Sequence, residues 1–140
     1  MPVSFLDVRT RLLLAGDLVA LGLFAIAGRR NHDEATGLAA VGAVAETALP
    51  FVLGWIAAVI LVRAARLEGV TSVGTTLRQT VPGWVIAFPV VVLLRALVLG
   101  RFSPWTFYLV AFLLAFALLA AWRVAFVFGG RWLPGAAAAR

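Results

Sequence analysis

Long apolar runs separated by short polar stretches account for most of this chain. Each run is about 20 residues long, which is what an α-helix needs to cross roughly 30 Å of hydrocarbon. Helices are predicted over residues 9–28, 45–64, 81–99 and 104–128. Residues 29–36 form a polar link, and the small-residue stretch 37–44 leads into the second helix. Residues 65–80 read as a polar connection, with Thr71, Ser72 and Gly74 marking a loop or short interfacial turn. Pro82 is expected in the first turn of the third helix, where its missing N–H costs little. Pro89 falls inside that helix, so a kink is predicted there, with the Val85 carbonyl losing its usual partner. The link 100–103 is short enough to force an antiparallel hairpin. Ser103 suits the N-cap of the fourth helix and Pro104 its first helical position, and Gly129-Gly130 ends it.

The pattern therefore predicts an all-α, polytopic membrane protein: four transmembrane helices in an up-down antiparallel bundle. Residues 1–132 make one domain, followed by a short flexible tail at 133–140. Composition agrees. Of the 140 residues, 64% are apolar and 13% charged, against about half and a quarter in a soluble domain. The N-terminus mimics a signal peptide, with Arg9 and Arg11 before an apolar stretch ending in Ala25-Ile26-Ala27. Asp17 interrupts that stretch and Arg29-Arg30 follow it, so a retained helix is expected.

The net charge is +6, and every basic residue is arginine. The arginines flank the apolar runs and form no basic block, which favours topology and anionic headgroups over nucleic acid. Arg9, Arg11, Arg63, Arg66, Arg78, Arg123, Arg131 and Arg140 fall near the side carrying both termini; Arg29, Arg30 and Arg101 fall near the other. By the positive-inside rule both termini are expected in the cytoplasm, in the cell membrane of a prokaryote. Trp84, Trp122 and Trp132 would then belong to the inner aromatic belt, and Trp105 and Tyr108 to the outer one.

Ionisable residues inside apolar spans cost about 2.5–3.5 kcal/mol each at mid-membrane, so they should face protein or water. Asp17, Glu46 and Arg95 are these residues, whereas Arg123 sits near enough to a helix end to snorkel. Depth along the helices sets the expected partners. Trp55 falls level with Asp17, and its indole N–H is a lone donor in need of an acceptor. Glu46 falls near the level of Arg95, so an outer Glu46–Arg95 pair is expected, with Arg95 stretching down to Asp17 as the alternative. On helix 2, Gly42, Glu46, Pro50, Gly54 and Ala58 recur every four residues, which predicts one bundle-facing row with small residues at a close helix crossing. Pro50 and Pro89 are the candidate hinges.

Trp105, Phe112, Phe116 and Arg123 share a face of helix 4, as do Trp84, Phe88 and Arg95 on helix 3. Packing and lipid contact explain these faces; a slot for a lipophilic ligand such as a quinone or polyene is the sharper alternative. His32, the one histidine, lies in a polar link beside Asp33 and Glu34. It reads as a solvated loop residue or as a pH-sensing group. The absence of cysteine excludes disulfides and thiolate metal sites. No phosphate loop, nucleophile elbow or paired-histidine motif is present, so neither an enzyme nor a cofactor or metal is expected.

Gly16-Asp17, Gly28-Arg29 with His32, Pro50-Phe51, Gly54-Trp55, Gly83-Trp84, Arg95 and Trp122-Arg123 together resemble the family of unknown function 3054, small prokaryotic membrane proteins. The resemblance runs from about Gly16 to Arg123. It implies a four-helix membrane protein and brings no activity with it. Two roles follow from the residues. One is a proton-linked transporter or channel subunit, with Asp17 as buried acid, Glu46–Arg95 as outer pair and Pro89 as flexible point. The other is a non-transporting assembly factor or structural subunit, in which buried polar groups only fix helix pairing. A binder of a lipophilic cofactor is a remote third. The expected partners are the lipid bilayer and either a second copy or a larger membrane complex, with no nucleic acid.

Overall fold

The computed structural model describes residues 8–30, 36–62 and 72–130. His32, Arg63, Arg66, Trp132 and the tail 133–140 lie outside them. The described residues form α1 (Val8–Arg30), α2 (Gly37–Val62), α3 (Val73–Leu99) and α4 (Trp105–Gly129). All are long and apolar enough to cross a membrane. The contacts make each helix antiparallel to the next. Phe24 of α1 meets Phe51 of α2 with ring centroids 4.8 Å apart. Trp55 of α2 meets Trp84 of α3 at 6.2 Å, and Trp84 meets Phe112 of α4 at 6.1 Å. Trp122 near the end of α4 donates its indole N–H to the Leu13 carbonyl near the start of α1, at 3.0 Å, closing the ring of helices. This is the up-down bundle the apolar runs predict.

Two helices start earlier than their patterns suggest. The lead-in 37–44 belongs to α2, whose alanines extend the helix readily. On α3, Ser72 caps the helix: its hydroxyl accepts from the Thr75 N–H at 3.3 Å, and Thr75 Oγ1 accepts from the Ser72 N–H at 3.1 Å. This reciprocal box satisfies the first-turn donors. It turns the expected loop at 72–80 into helix. Pro82 therefore lies in the helix interior, not its first turn, and α3 continues through both Pro82 and Pro89. Ser103 does not cap α4; Pro104 occupies that position without a side-chain cap, and the Ser103 hydroxyl is engaged elsewhere.

The core is apolar and aromatic: Leu21, Phe24, Phe51, Trp55, Trp84, Val91, Ala115 and Leu119 pack as one cluster. Trp84 is buried within it and belongs to no interfacial belt. The indole N–H of Trp84 donates to the Phe112 carbonyl at 3.1 Å, which satisfies its one polar atom away from water. Trp105, by contrast, is 74% exposed, as a belt residue should be.

Glycine sets two close helix approaches. A Cβ on Gly16 would stand 1.9 Å from Cε2 of Trp122, and one on Gly54 would stand 2.6 Å from Val91 Cγ2 and 3.0 Å from the Ala87 carbonyl oxygen. The first crossing seats α4 on α1, and the second seats α3 on α2. In lipid, where apolar burial drives little association between helices, such backbone approach is a main source of packing energy.

Candidate functional site

The close crossing at Gly16 places the next residue, Asp17, against the residue after Trp122, which is Arg123. Both side chains have 0% exposure. Arg123 Nε donates to Asp17 Oδ1 at 3.0 Å and Arg123 Nη2 to Oδ2 at 2.6 Å, a two-pronged pairing of guanidinium and carboxylate. Trp55 Nε1 donates to the same Oδ2 at 3.0 Å. The Trp55 ring also lies under the guanidinium, 5.0 Å from its central carbon. From α3, Thr80 Oγ1 accepts a long hydrogen bond from Arg123 Nη1 at 3.5 Å, while its own proton goes to the Thr76 carbonyl at 2.7 Å. Every helix thus contributes one residue to a single buried polar layer: Asp17, Trp55, Thr80 and Arg123.

Depth explains why these four meet. At 1.5 Å of rise per residue, Asp17 stands about 14 Å from the start of α1, Trp55 and Thr80 about 10 Å from their helix ends, and Arg123 about 9 Å from the end of α4. The layer sits inside the hydrocarbon on the side where α1 begins and α4 ends. The expected Asp17–Trp55 bond is present. Arg123 does not snorkel. Its guanidinium turns inward, because a carboxylate at its own level compensates the buried charge better than the long reach to the headgroups.

At the opposite end the groups are looser. Arg29 Nε donates to Thr47 Oγ1 at 3.0 Å, and its Nη2 lies 3.9 Å from Glu46 Oε2, with side chains 30% and 50% exposed. Glu46 therefore faces the bundle surface, not the interior, and its ion pair is with Arg29, not Arg95. Arg95 Nε donates instead to Ser103 Oγ at 3.2 Å, and its guanidinium stacks 4.1 Å from the centre of the Phe107 ring. Arg95 does not reach Asp17, whose partners come from α2 and α4. Of the small-residue row on α2, Pro50, Gly54 and Ala58 are buried, but Gly42 and Glu46 are exposed. Pro89 lies exposed on α3. Phe112 and Phe116 pack partly buried against the core. Phe88 and Phe112 meet edge to face at 4.9 Å.

Thr80 joins the layer although the polar stretch 65–80 reads as a connection, because α3 begins at Val73. The Ser72–Thr75 box is the signal for the earlier helix start, and it sets Thr76, Thr80 and Trp84 at four-residue spacing on one face.

The family model described as "Protein of unknown function (DUF3054)" matches residues 14–126. The chain belongs to this family. The match encloses all four members of the buried layer, and both glycine crossings lie within it. No curated protein and no solved structure matches the chain. For this DUF3054 member the geometry is accordingly the main guide to function. That geometry brings Gly16-Asp17, Gly54-Trp55 and Trp122-Arg123, scattered along the chain, into one place.

Proposed function

We propose that this membrane protein is a non-transporting structural or assembly component, and that the Asp17–Arg123 layer serves to lock its helices in one arrangement. The observation that carries this reading is the closure of Asp17. Its carboxylate has 0% exposure and takes three N–H donors, two from Arg123 and one from Trp55. A proton or ion carrier needs its acid reached from one side and then the other. Here the acid is covered by Trp55 and held by a cation that stays protonated in essentially any setting. Polar pairs between membrane helices contribute about 0.6–2 kcal/mol each, enough to fix register and pairing. A rigid four-helix body of this kind suits a subunit that presents fixed surfaces to a larger membrane complex.

The test is a flux assay. Protein reconstituted into vesicles of phosphatidylcholine and phosphatidylglycerol, under an imposed pH gradient, should collapse that gradient no faster than empty vesicles. Asp17→Asn should behave the same. Proton flux well above the empty-vesicle rate, abolished by Asp17→Asn, would replace this reading with the proton-linked carrier.

A further inference from the structure

The hairpin joining α3 to α4 carries donors that none of the described residues uses. Gly100 takes a left-handed conformation, φ 66°, and turns the chain sharply after Leu99. Ser103 comes back within reach of Arg95, accepting from its Nε at 3.2 Å. The Ser103 backbone N–H donates to Tyr108 Oη at 3.1 Å, which brings the phenol to the same place. Phe107 stacks on the guanidinium at 4.1 Å from its ring centre and fixes the plane of the fork. Tyr108 is held in turn by edge contacts to Phe88 at 6.4 Å and Phe107 at 5.6 Å.

Arg95 makes no ion pair among the described residues, and its Nη1 and Nη2 donate to none of them. The hydroxyl protons of Ser103 and Tyr108 likewise reach no acceptor among the described residues. A positioned guanidinium edge and two hydroxyls therefore converge with their donors unspent. A half-buried guanidinium that pairs with no carboxylate among the described residues favours an anion beside it. An oxyanion with several acceptor oxygens in a tetrahedral array answers all three groups at once.

Depth points to the same chemistry. Twenty-seven residues of α3 span about 40 Å against about 30 Å of hydrocarbon, so roughly 5 Å of the helix rises into the headgroups at each end. Arg95 stands about 6 Å below the end of α3, at the hydrocarbon boundary, with its fork within reach of the phosphate level.

We infer that Arg95, Ser103 and Tyr108 form a binding site for a phosphate group, of the kind shared by a phospholipid headgroup and free inorganic phosphate. Native mass spectrometry of the detergent-purified chain tests it, with phosphatidylglycerol, a diacyl glycolipid that lacks phosphate, and inorganic phosphate as probes. Wild type should retain phosphatidylglycerol and not the glycolipid. Arg95→Gln should reduce that retention about tenfold, the scale of one lost charge-assisted contact. Arg101→Gln, which removes an exposed cation of the same hairpin, should change it less than about twofold. Retention that millimolar inorganic phosphate displaces assigns the site to the soluble anion; retention that resists it assigns the site to the lipid, and both uphold the site. Equal retention by wild type and Arg95→Gln, or equal binding of the glycolipid, overturns it. Should Arg95→Gln fail to fold, Tyr108→Phe and Ser103→Ala decide: about threefold weaker retention in either supports the site, and no change in both removes it.

Discussion

The two ends of this bundle handle charge in opposite ways. Near the side where α1 begins, Asp17 and Arg123 are withdrawn completely from the surface, pair in two places and take support from Trp55 and Thr80. At the far side, Arg29 and Glu46 meet at 3.9 Å while half exposed, and Arg95 has no carboxylate partner among the described residues. The same residue types produce a lock in one place and an open edge in the other. The difference lies in what surrounds them. The Asp17–Arg123 layer is roofed by core residues, so its charges must satisfy each other; the groups at the far end lie near the headgroups, where water and phosphate are alternatives. Polar residues in an apolar chain thus have no single meaning, and their value follows from depth and from the number of helices that converge on them.

This contrast predicts the largest effects at the Asp17–Arg123 layer. Asp17→Leu leaves a guanidinium buried without its carboxylate, and that group cannot shed its proton. A loss of about 3–5 kcal/mol of stability is expected, the usual result of stranding one member of a buried pair. Arg123→Leu should cost less, since the stranded Asp17 can take up a proton and become neutral. Asp17→Leu with Arg123→Leu should recover much of the loss, because an apolar pair removes both desolvation penalties. Unfolding equilibria measured in bicelles for the two single variants and the double check all three. Strict additivity of the single losses would mean the pairing contributes nothing as a pair.

A second effect, smaller, concerns the crossing that aligns the layer. Gly16→Ala places a methyl 1.9 Å from the Trp122 ring, which is itself tethered to the Leu13 carbonyl. The indole must shift, and overpacking of this kind costs about 1–3 kcal/mol. Trp122→Phe, which shortens the ring system, should recover part of that loss in the double variant. A Gly16→Ala protein with an unchanged melting temperature would show that α1 and α4 slide freely, and that the layer does not depend on their register.

The Asp17–Trp55 half of the buried layer is readable from the sequence, for physical reasons. Lipid demands long apolar helices, so the four spans announce themselves. Equal rise per residue then puts Asp17 and Trp55 at one level. The position of Arg123 was harder to read, because depth alone allows its long side chain to turn either way. The helical row Ala111, Ala115, Leu119 and Arg123, buried at every position, is what turns it inward. Thr80 was hidden by a helix start that a polar stretch disguised as loop. Glu46 was misplaced because a four-residue row drifts by about 40° per step on a straight helix. Before Pro50 the row turns outward: Gly42 and Glu46 are exposed, and Glu46 meets Arg29 near the end of α1. The family match encloses the layer without assigning it a task.

The smallest predicted effect lies at that drifting end and sharpens the contrast. Glu46→Gln removes the charge facing Arg29 but keeps the shape of the side chain. The pair is long, and its members are 30% and 50% exposed, so screening leaves it little to contribute. Arg29 also retains its hydrogen bond to Thr47, which does not depend on the carboxylate. A stability change below about 0.5 kcal/mol is therefore expected in the same bicelle assay. A loss on the scale of Asp17→Leu would mean that Glu46 is covered in the membrane by something other than lipid and water. The Arg29–Glu46 edge would then be an interface, as closed in the assembled state as the Asp17–Arg123 layer already is in the single chain.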